Sequence, residues 1–352
     1  MGVSRERDIA AWIMAVMSLK GVGPRTVLEL LDAGREEILA SEALDAALAE
    51  SLAAGIPKAA RIARALGGTG VSWDERLSSA YDAIEAAGER GVHVLSPFSG
   101  SYPKRLLRHK SHPPILYCIG SLAAINADKA VAVVGTRRPT GFGARMGRRL
   151  AQVLAEDGYA IVSGLAVGCD TLGHEGALDV GGMTVAVLPT PIGAPVYPRQ
   201  NQGLADRIVE SGGALLSEHA PDAKLSDGRL AGNLVARDEW QAALVDGVVA
   251  IETGVGGGTR HAMAHALRNG TPLAAFDYRG NERLRAAFET DPRFGGNMEY
   301  LTMEHGASPI YQPETIEAFK REMDAFRSTW QEASGAPSVA AGRCGQQALP
   351  LG

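Results

Sequence analysis

Cysteine is scarce in this chain. Three stand in 352 residues, Cys118, Cys169 and Cys344. They share no metal-ligand spacing and do not pair evenly, so a disulfide framework is not expected and a reducing compartment is. An excess of basic charge is lacking too. Lysine and arginine number 35 against 40 acids, a net charge of −5. No global field draws such a protein to nucleic acid, and any such site must be a local patch. Long apolar runs are missing, so no membrane span is read. The charged start, Arg5-Glu6-Arg7-Asp8, has no long apolar segment behind it, which argues against a signal peptide and for the cytoplasm. What remains is ordinary globular composition, with 45% apolar and 21% charged residues.

One stretch organises the rest, Lys129 to His174. Residues 130–134 form a short continuous apolar run, the pattern of a strand buried on both faces. A turn with Gly135, Gly141 and Gly143 follows. Met146, Leu150, Val153 and Leu154 then recur at helical spacing. Gly158 ends that helix, Ala160-Ile161-Val162 is a second strand, and a second turn carries Gly164 and Gly168. Strand, glycine turn, helix, strand is a βαβ unit, and its turns lie at the carboxyl edge where such sheets bind ligands. The first turn holds Arg137 and Arg138, and the helix adds Arg145, Arg148 and Arg149. No acid occurs between Lys129 and Glu156. Helix-start N–H groups with clustered arginines suit phosphate, whereas a solvated helix face beside a packing turn is the plain alternative.

The flanking chain divides into four parts. Residues 1–70 read as small helices around Gly21-Val22-Gly23-Pro24, a helix-hairpin-helix pattern flanked by Lys20 and Arg25. Residues 71–280 alternate strands and helices. Strands are expected at 92–95, 115–118, 130–134, 160–162, 184–188, 214–218, 248–251 and 273–276. Asp170 is the expected N-cap of the helix after Gly168. Residues 219–235 and 279–312 read as irregular. In 281–332, Ile316, Phe319, Met323, Phe326 and Trp330 make an amphipathic helix. Residues 333–352 have the composition of a disordered tail. The fold class is α/β: an extended, Rossmann-like, doubly wound and mostly parallel sheet, with a small helical domain before it and an amphipathic helix after it.

A third glycine turn, Gly256-Gly257-Gly258-Thr259-Arg260, follows the 248–251 strand and converges on the same edge as Gly135 and Gly164. It is no Walker loop, because no Lys-Ser or Lys-Thr follows. His261 and His265 stand four apart, but no third ligand is evident, so no metal is assigned.

In order along the chain stand Gly21-Val22-Gly23-Pro24, Tyr102-Pro103 with Leu106, Pro113-Pro114-Ile115-Leu116-Tyr117 and Val133-Val134-Gly135-Thr136-Arg137. Ser163-Gly164-Leu165-Ala166 with Gly168-Cys169-Asp170 and His174 follows, then Tyr197-Pro198-Arg199 with Asn201. That ordered set, over residues 18–278, resembles the DprA/Smf family of DNA-processing proteins. The resemblance implies an extended Rossmann sheet, binding of single-stranded DNA, loading of a RecA-type recombinase during natural transformation, and a homodimer. It implies phosphate contacts from Gly135, Arg137, Ser163 and Gly164. The full expected site adds Thr136, Arg138, Arg199, Asn201, Arg237, Gly256, Gly257, Gly258, Thr259 and Arg260, with no catalytic residue, metal or cofactor. Tyr197 could stack on a base.

The sequence also departs from that family. Val167 stands where a basic residue is usual, and Arg237-Asp238-Glu239 replaces an Arg-Asn-Arg stretch. The Gly256–Thr259 turn is nearer to that of LOG-type nucleotide hydrolases, and no winged helix is apparent. Two other readings therefore stand beside DNA binding. One is a nucleotide-binding or nucleotide-hydrolysing enzyme, with Glu252 or Glu218 as acid/base. The other is a scaffold that uses its C-terminal helix.

Overall fold

The computed structural model describes residues 2–54, 56, 60–66, 70–224 and 228–333. Among the described residues the strands are β1 (Val92–Leu95), β2 (Leu116–Gly120), β3 (Lys129–Val134), β4 (Tyr159–Ser163), β5 (Thr184–Val187), β6 (Ala214–Ser217), β7 (Gly247–Ala250), β8 (Leu273–Phe276) and β9 (Ser308–Ile310). Among the described residues the helices before the sheet are α1 (Val3–Met17), α2 (Pro24–Ala33), α3 (Arg35–Ala40), α4 (Ala46–Ala54), α5 (Ala60–Leu66) and α6 (Trp73–Glu89). Five more alternate with strands or close over them: α7 (Gly141–Glu156), α8 (Cys169–Asp179), α9 (Gln202–Glu210), α10 (Leu230–Ala243) and α11 (Thr259–Arg268). The last three are α12 (Glu282–Thr290), α13 (Gly295–Thr302) and α14 (Pro313–Ala333).

The strands form one sheet in the order β1-β2-β6-β5-β4-β3-β7-β8-β9. From β6 to β9 every neighbouring pair is parallel. β2 runs antiparallel to β6 and β1 to β2. The continuous apolar runs explain the parallel part, because β4 to β8 are buried at every residue. Alternate residues of β3 serve opposite layers. Val131 and Val133 pack with Leu150 and Leu154 of α7. Ala130, Ala132 and Val134 pack with Ala242 and Ala243 of α10 and with Met263 and Ala266 of α11. Helices on both faces make the sheet doubly wound, as the sequence predicts.

The N-terminal helices bury Ile9, Trp12, Ile13, Val27, Leu30 and Ile38, and that core runs on into Val92, Phe98, Ile115, Tyr117 and Leu215 of the sheet side. Gly21 has φ +81, and Pro24 opens α2, so the Gly-Val-Gly-Pro stretch is a tight helix connection. Ser72 and Glu75 form a capping box that starts α6.

Residues 279–312 are not irregular. They hold α12, α13 and β9. Each is short, and Pro292, Gly295, Gly296 and Pro309 break up its periodicity in the sequence. Tertiary bonding secures them: fully buried Asn297 donates from Nδ2 to Ile251 O (3.0 Å) and Phe276 O (3.1 Å) and accepts from Thr253 N (2.7 Å). Residues 219–235 are a second correction, since α10 already starts at Leu230.

The amphipathic helix expected at 316–330 is α14. It packs Phe319 and Met323 over β7, where a Cβ on Gly247 would stand 2.6 Å from Met323 Cγ. The guanidinium of Arg108 lies 4.7 Å from the Phe326 ring centroid and 5.3 Å from that of Trp330. The tail from 334 onward, expected to be disordered, lies outside the described residues.

Candidate functional site

The chain leaves β3 toward β4, β5 and β6 on one side, then returns through α10 to place β7 on the other side of β3. Strand order reverses between β3 and β7, which is where doubly wound sheets open a crevice at their carboxyl ends. Here that crevice is a cleft of about 550 Å³. The turn after β3 gives one wall with Gly135, Thr136, Arg137 and Arg138. The turn after β7 and the start of α11 give the other with Thr253, Gly254, Gly257, Gly258, Thr259 and His261. Ala166 comes from the turn after β4, Asp170 from the first turn of α8, and Leu234, Arg237, Asp238 and Gln241 from α10.

Backbone bonds stitch these turns together. Thr136 N donates to Glu252 O (2.6 Å), and Cys169 N donates to Thr136 O (3.1 Å). Buried Glu252 then turns its carboxylate onto the start of α7. It accepts from Thr140 N (2.7 Å) and Thr140 Oγ1 (2.7 Å). A Cβ on Gly143 would stand 2.0 Å from Glu252 Oε1. The positive end of the α7 dipole is thus already met by the protein's own carboxylate. The helix start left facing the cleft is that of α11.

The floor is ionic and buried. Arg237 is 5% exposed; its Nε lies 2.9 Å from Asp238 Oδ1, its Nη1 lies 3.7 Å from Asp170 Oδ2, and it donates to Gly164 O. Gly164 has no side chain because a Cβ there would collide with Arg237 and with Gln241 Nε2. Asp170 is not the N-cap of α8; Gly168 is. Asp170 instead accepts from Gly164 N (3.2 Å) and Ala166 N (3.3 Å), fixing the turn after β4. Burial raises its pKa, with Arg237 pulling the other way. Burial also raises the Asp238 carboxyl to about 6, against the attraction of Arg237.

Behind this floor lies His174, fully buried. Its Nδ1 is 2.7 Å from Thr184 Oγ1, and that hydroxyl donates to Ile161 O (2.7 Å). Thr184 has one proton, so His174 Nδ1 carries the proton between them. Burial pushes this imidazole down to about 3.

Of the sequence-predicted residues, Gly135, Thr136, Arg137, Arg138, Arg237, Gly257, Gly258 and Thr259 come together on the cleft. Arg137 and Arg138 are exposed at its lip. Ser163 faces inward and donates to Val133 O (2.6 Å). Asn201 is buried and donates to Leu165 O (2.7 Å) and Thr171 Oγ1 (3.0 Å). Arg260 turns away to Val255 O and Glu299 (2.6 Å). Arg199 is exposed outside the cleft lining, as is the Gly256 position of the turn. Tyr197, 37% exposed, borders a small side groove with Arg137, Val167 and Leu234.

Among the helix arginines, Arg148 pairs with Glu175 and Asp179 of α8 and Arg149 with Glu156. The acids weighed for chemistry, Glu218 and Glu252, do not line the cleft among the described residues; Asp170 and Asp238 do. Gln241, on the cleft floor, carries little mark in the sequence. Its signal was slight: it stands one helical turn after Asp238. No group of three or more metal-binding side chains occurs among the described residues. His261 is exposed on the cleft, while His265 is buried against His109, so the two do not converge.

Three comparisons bear on this geometry. The family profile of DNA recombination-mediator protein A matches residues 93–316. Protein Smf of a Synechocystis species is 35% identical over 175 residues, 49% of this chain and 42% of that relative, so the chain spans less than half its length. A solved structure of DNA processing protein A from Helicobacter pylori, described for its single-stranded DNA binding mode, is 26% identical with a TM-score of 0.53, covering 69% of this chain and 96% of that one. The X-ray structure of DNA processing protein A from Streptococcus pneumoniae shares the fold, with a TM-score of 0.65 at 23% identity, covering 88% of this chain and 97% of the other.

Proposed function

Because the chain belongs to the DNA recombination-mediator protein A family, we propose that its cleft between the β3 and β7 turns binds single-stranded DNA. The observation that carries this reading is the pair of exposed arginines, Arg137 and Arg138, on the lip opposite the α11 N-terminus. A guanidinium grips a phosphate oxygen pair, and the first N–H groups of a helix lack intrahelical partners and favour anions. The relative from Helicobacter pylori, described for its single-stranded DNA binding mode, supports the same reading. Tyr197 beside Arg137 offers a ring for stacking. Ser163, Gly164 and Asn201 serve the site by holding the turns.

The biological role proposed with it is protection of incoming single strands and loading of a RecA-type recombinase, by a homodimer in the cytoplasm. Buried, unpaired Cys118 and Cys169 suit a reducing compartment. No helix among the described residues is long and apolar enough to cross a membrane. Light scattering of the purified chain tests the dimer, and co-purification with a recombinase on oligo-dT tests the partner.

Fluorescence anisotropy of labelled oligo-dT against salt tests the binding itself. Affinity falling steeply with salt, and lowered by Arg137→Ala, is the expected result. No binding at low salt rejects the reading.

A further inference from the structure

Three arginines stand between the end of β3 and the second turn of α7: Arg137, Arg138 and Arg145. All three are exposed. Among the described residues, none of them forms an ion pair with an acid. The other arginines of α7 differ. Arg148 is held by Glu175 and Asp179, and Arg149 faces Glu156 at 3.6 Å. Like charges close together repel, so three unpaired cations in one short stretch give the fold nothing. In a chain of net charge −5, acids to neutralise them are in ample supply elsewhere.

Arg137 and Arg138 line the cleft and Arg145 does not. Its guanidinium is folded back over the first turn of α7, with Nη1 3.7 Å from where a Cβ of Gly141 would stand. Gly141 is exposed, and beyond its chain neighbours no other side chain comes within 4 Å of that point. Phe142 turns inward onto Tyr278, with ring centroids 5.4 Å apart. Thr140 is occupied by Glu252. The surface from Arg138 to Arg145 is therefore mostly bare backbone with a free guanidinium at each end. A sugar-phosphate chain can lie close against peptide that carries no side chain. The α7 dipole adds little here, because Glu252 already meets it.

Charge also gives a direction. In the cleft lining the exposed arginines are Arg137 and Arg138. On the α10 side the lining offers Asp238 and a buried Arg237 already paired with it. A strand held by a phosphate at the lip meets an acid toward α10 and a further unpaired cation across α7.

We propose that the single strand leaves the cleft over the first turn of α7, where Arg145 holds a phosphate beyond those held at the lip. This rests on the DNA-binding reading and extends its site from a cleft to a track. The ligand class is a polynucleotide, since a nucleoside monophosphate has no second phosphate to bring to Arg145.

The test uses the full chain, with Arg145→Ala and Arg149→Ala side by side. Arg149→Ala removes the same charge from the same helix and so controls for the general field. Anisotropy of labelled oligo-dT is measured against salt. Arg145→Ala is expected to weaken binding about tenfold and to lower the slope of log affinity against log salt by about 0.7. Arg149→Ala is expected to change neither. The gain in affinity from about five to about twenty nucleotides is expected to shrink in Arg145→Ala alone. Melting curves check that both variants fold. If Arg145→Ala binds like the wild type, or the two variants weaken binding equally, the track is overturned and the DNA-binding reading stands. If Arg145→Ala weakens short and long strands alike, the arginine belongs to the cleft and the track is again overturned. If the wild type binds no oligonucleotide at low salt, both readings are lost.

Discussion

Arg137 and Glu252 lie at the ends of neighbouring turns and have opposite fates. Arg137 stays exposed at the lip, whereas Glu252 is spent inside the protein on Thr140. Arg137→Ala is expected to weaken oligo-dT binding and to reduce the slope of log affinity against log salt by about 0.7, the share of one phosphate contact on a single strand. Gly143→Ala is expected to destabilise the protein by about 1–3 kcal/mol, read from urea midpoints, because the added carbon would meet Glu252 Oε1 at 2.0 Å. The exposed place of Arg137 on the cleft is legible in sequence, since it stands in a glycine turn at a strand end. Gln241 is not legible, because a glutamine inside a helix gives no sign that its amide oxygen will be buried without a partner.

At the scale of elements, the strands from Val92 to Phe276 could be read off as apolar runs, and so could α14 as a stripe. The segment 279–312 could not, because its short elements depend on Asn297 bridging the ends of β7 and β8 rather than on their own periodicity. A similar tertiary knot ties the start of β7 to the chain before β3. Arg105 grips Asp246 with Nε (2.9 Å) and Nη2 (2.8 Å), both side chains being buried. Asp246 also accepts from Ala130 N (3.0 Å). Asp246→Asn leaves a buried guanidinium without its counter-ion and is expected to cost about 3–5 kcal/mol in denaturant unfolding. A cost below 1 kcal/mol would show that this pair does not hold the β3–β7 register.

For the whole molecule, buried histidines set an acid limit. Burial lowers His109 to about 4 and His174 to about 3, and lowers His265 as well. His109 and His174 stay neutral in the fold but take a proton in the unfolded chain below their ordinary value near 6.5. The unfolded state therefore binds more protons as pH falls, and stability from these groups is lost. At pH 5 the cost is about 2 kcal/mol for a group as buried as His174. Asp238, raised to about 6, acts with the opposite sign. The clean readout is a difference: between pH 7.5 and pH 5, His174→Asn is expected to lose about 2 kcal/mol less than the wild type in urea unfolding. By itself the sequence determined the alternation of strand and helix and the doubly wound class. Those follow from local periodicity and from glycines at strand ends. Only the tertiary structure decided that the α7 start is closed by Glu252, that Ser163 and Asn201 face inward, and that the cleft floor is made by α10. Those facts depend on which turns meet at the carboxyl edge of the sheet, and contacts between residues 30 to 112 positions apart leave no local pattern in the chain.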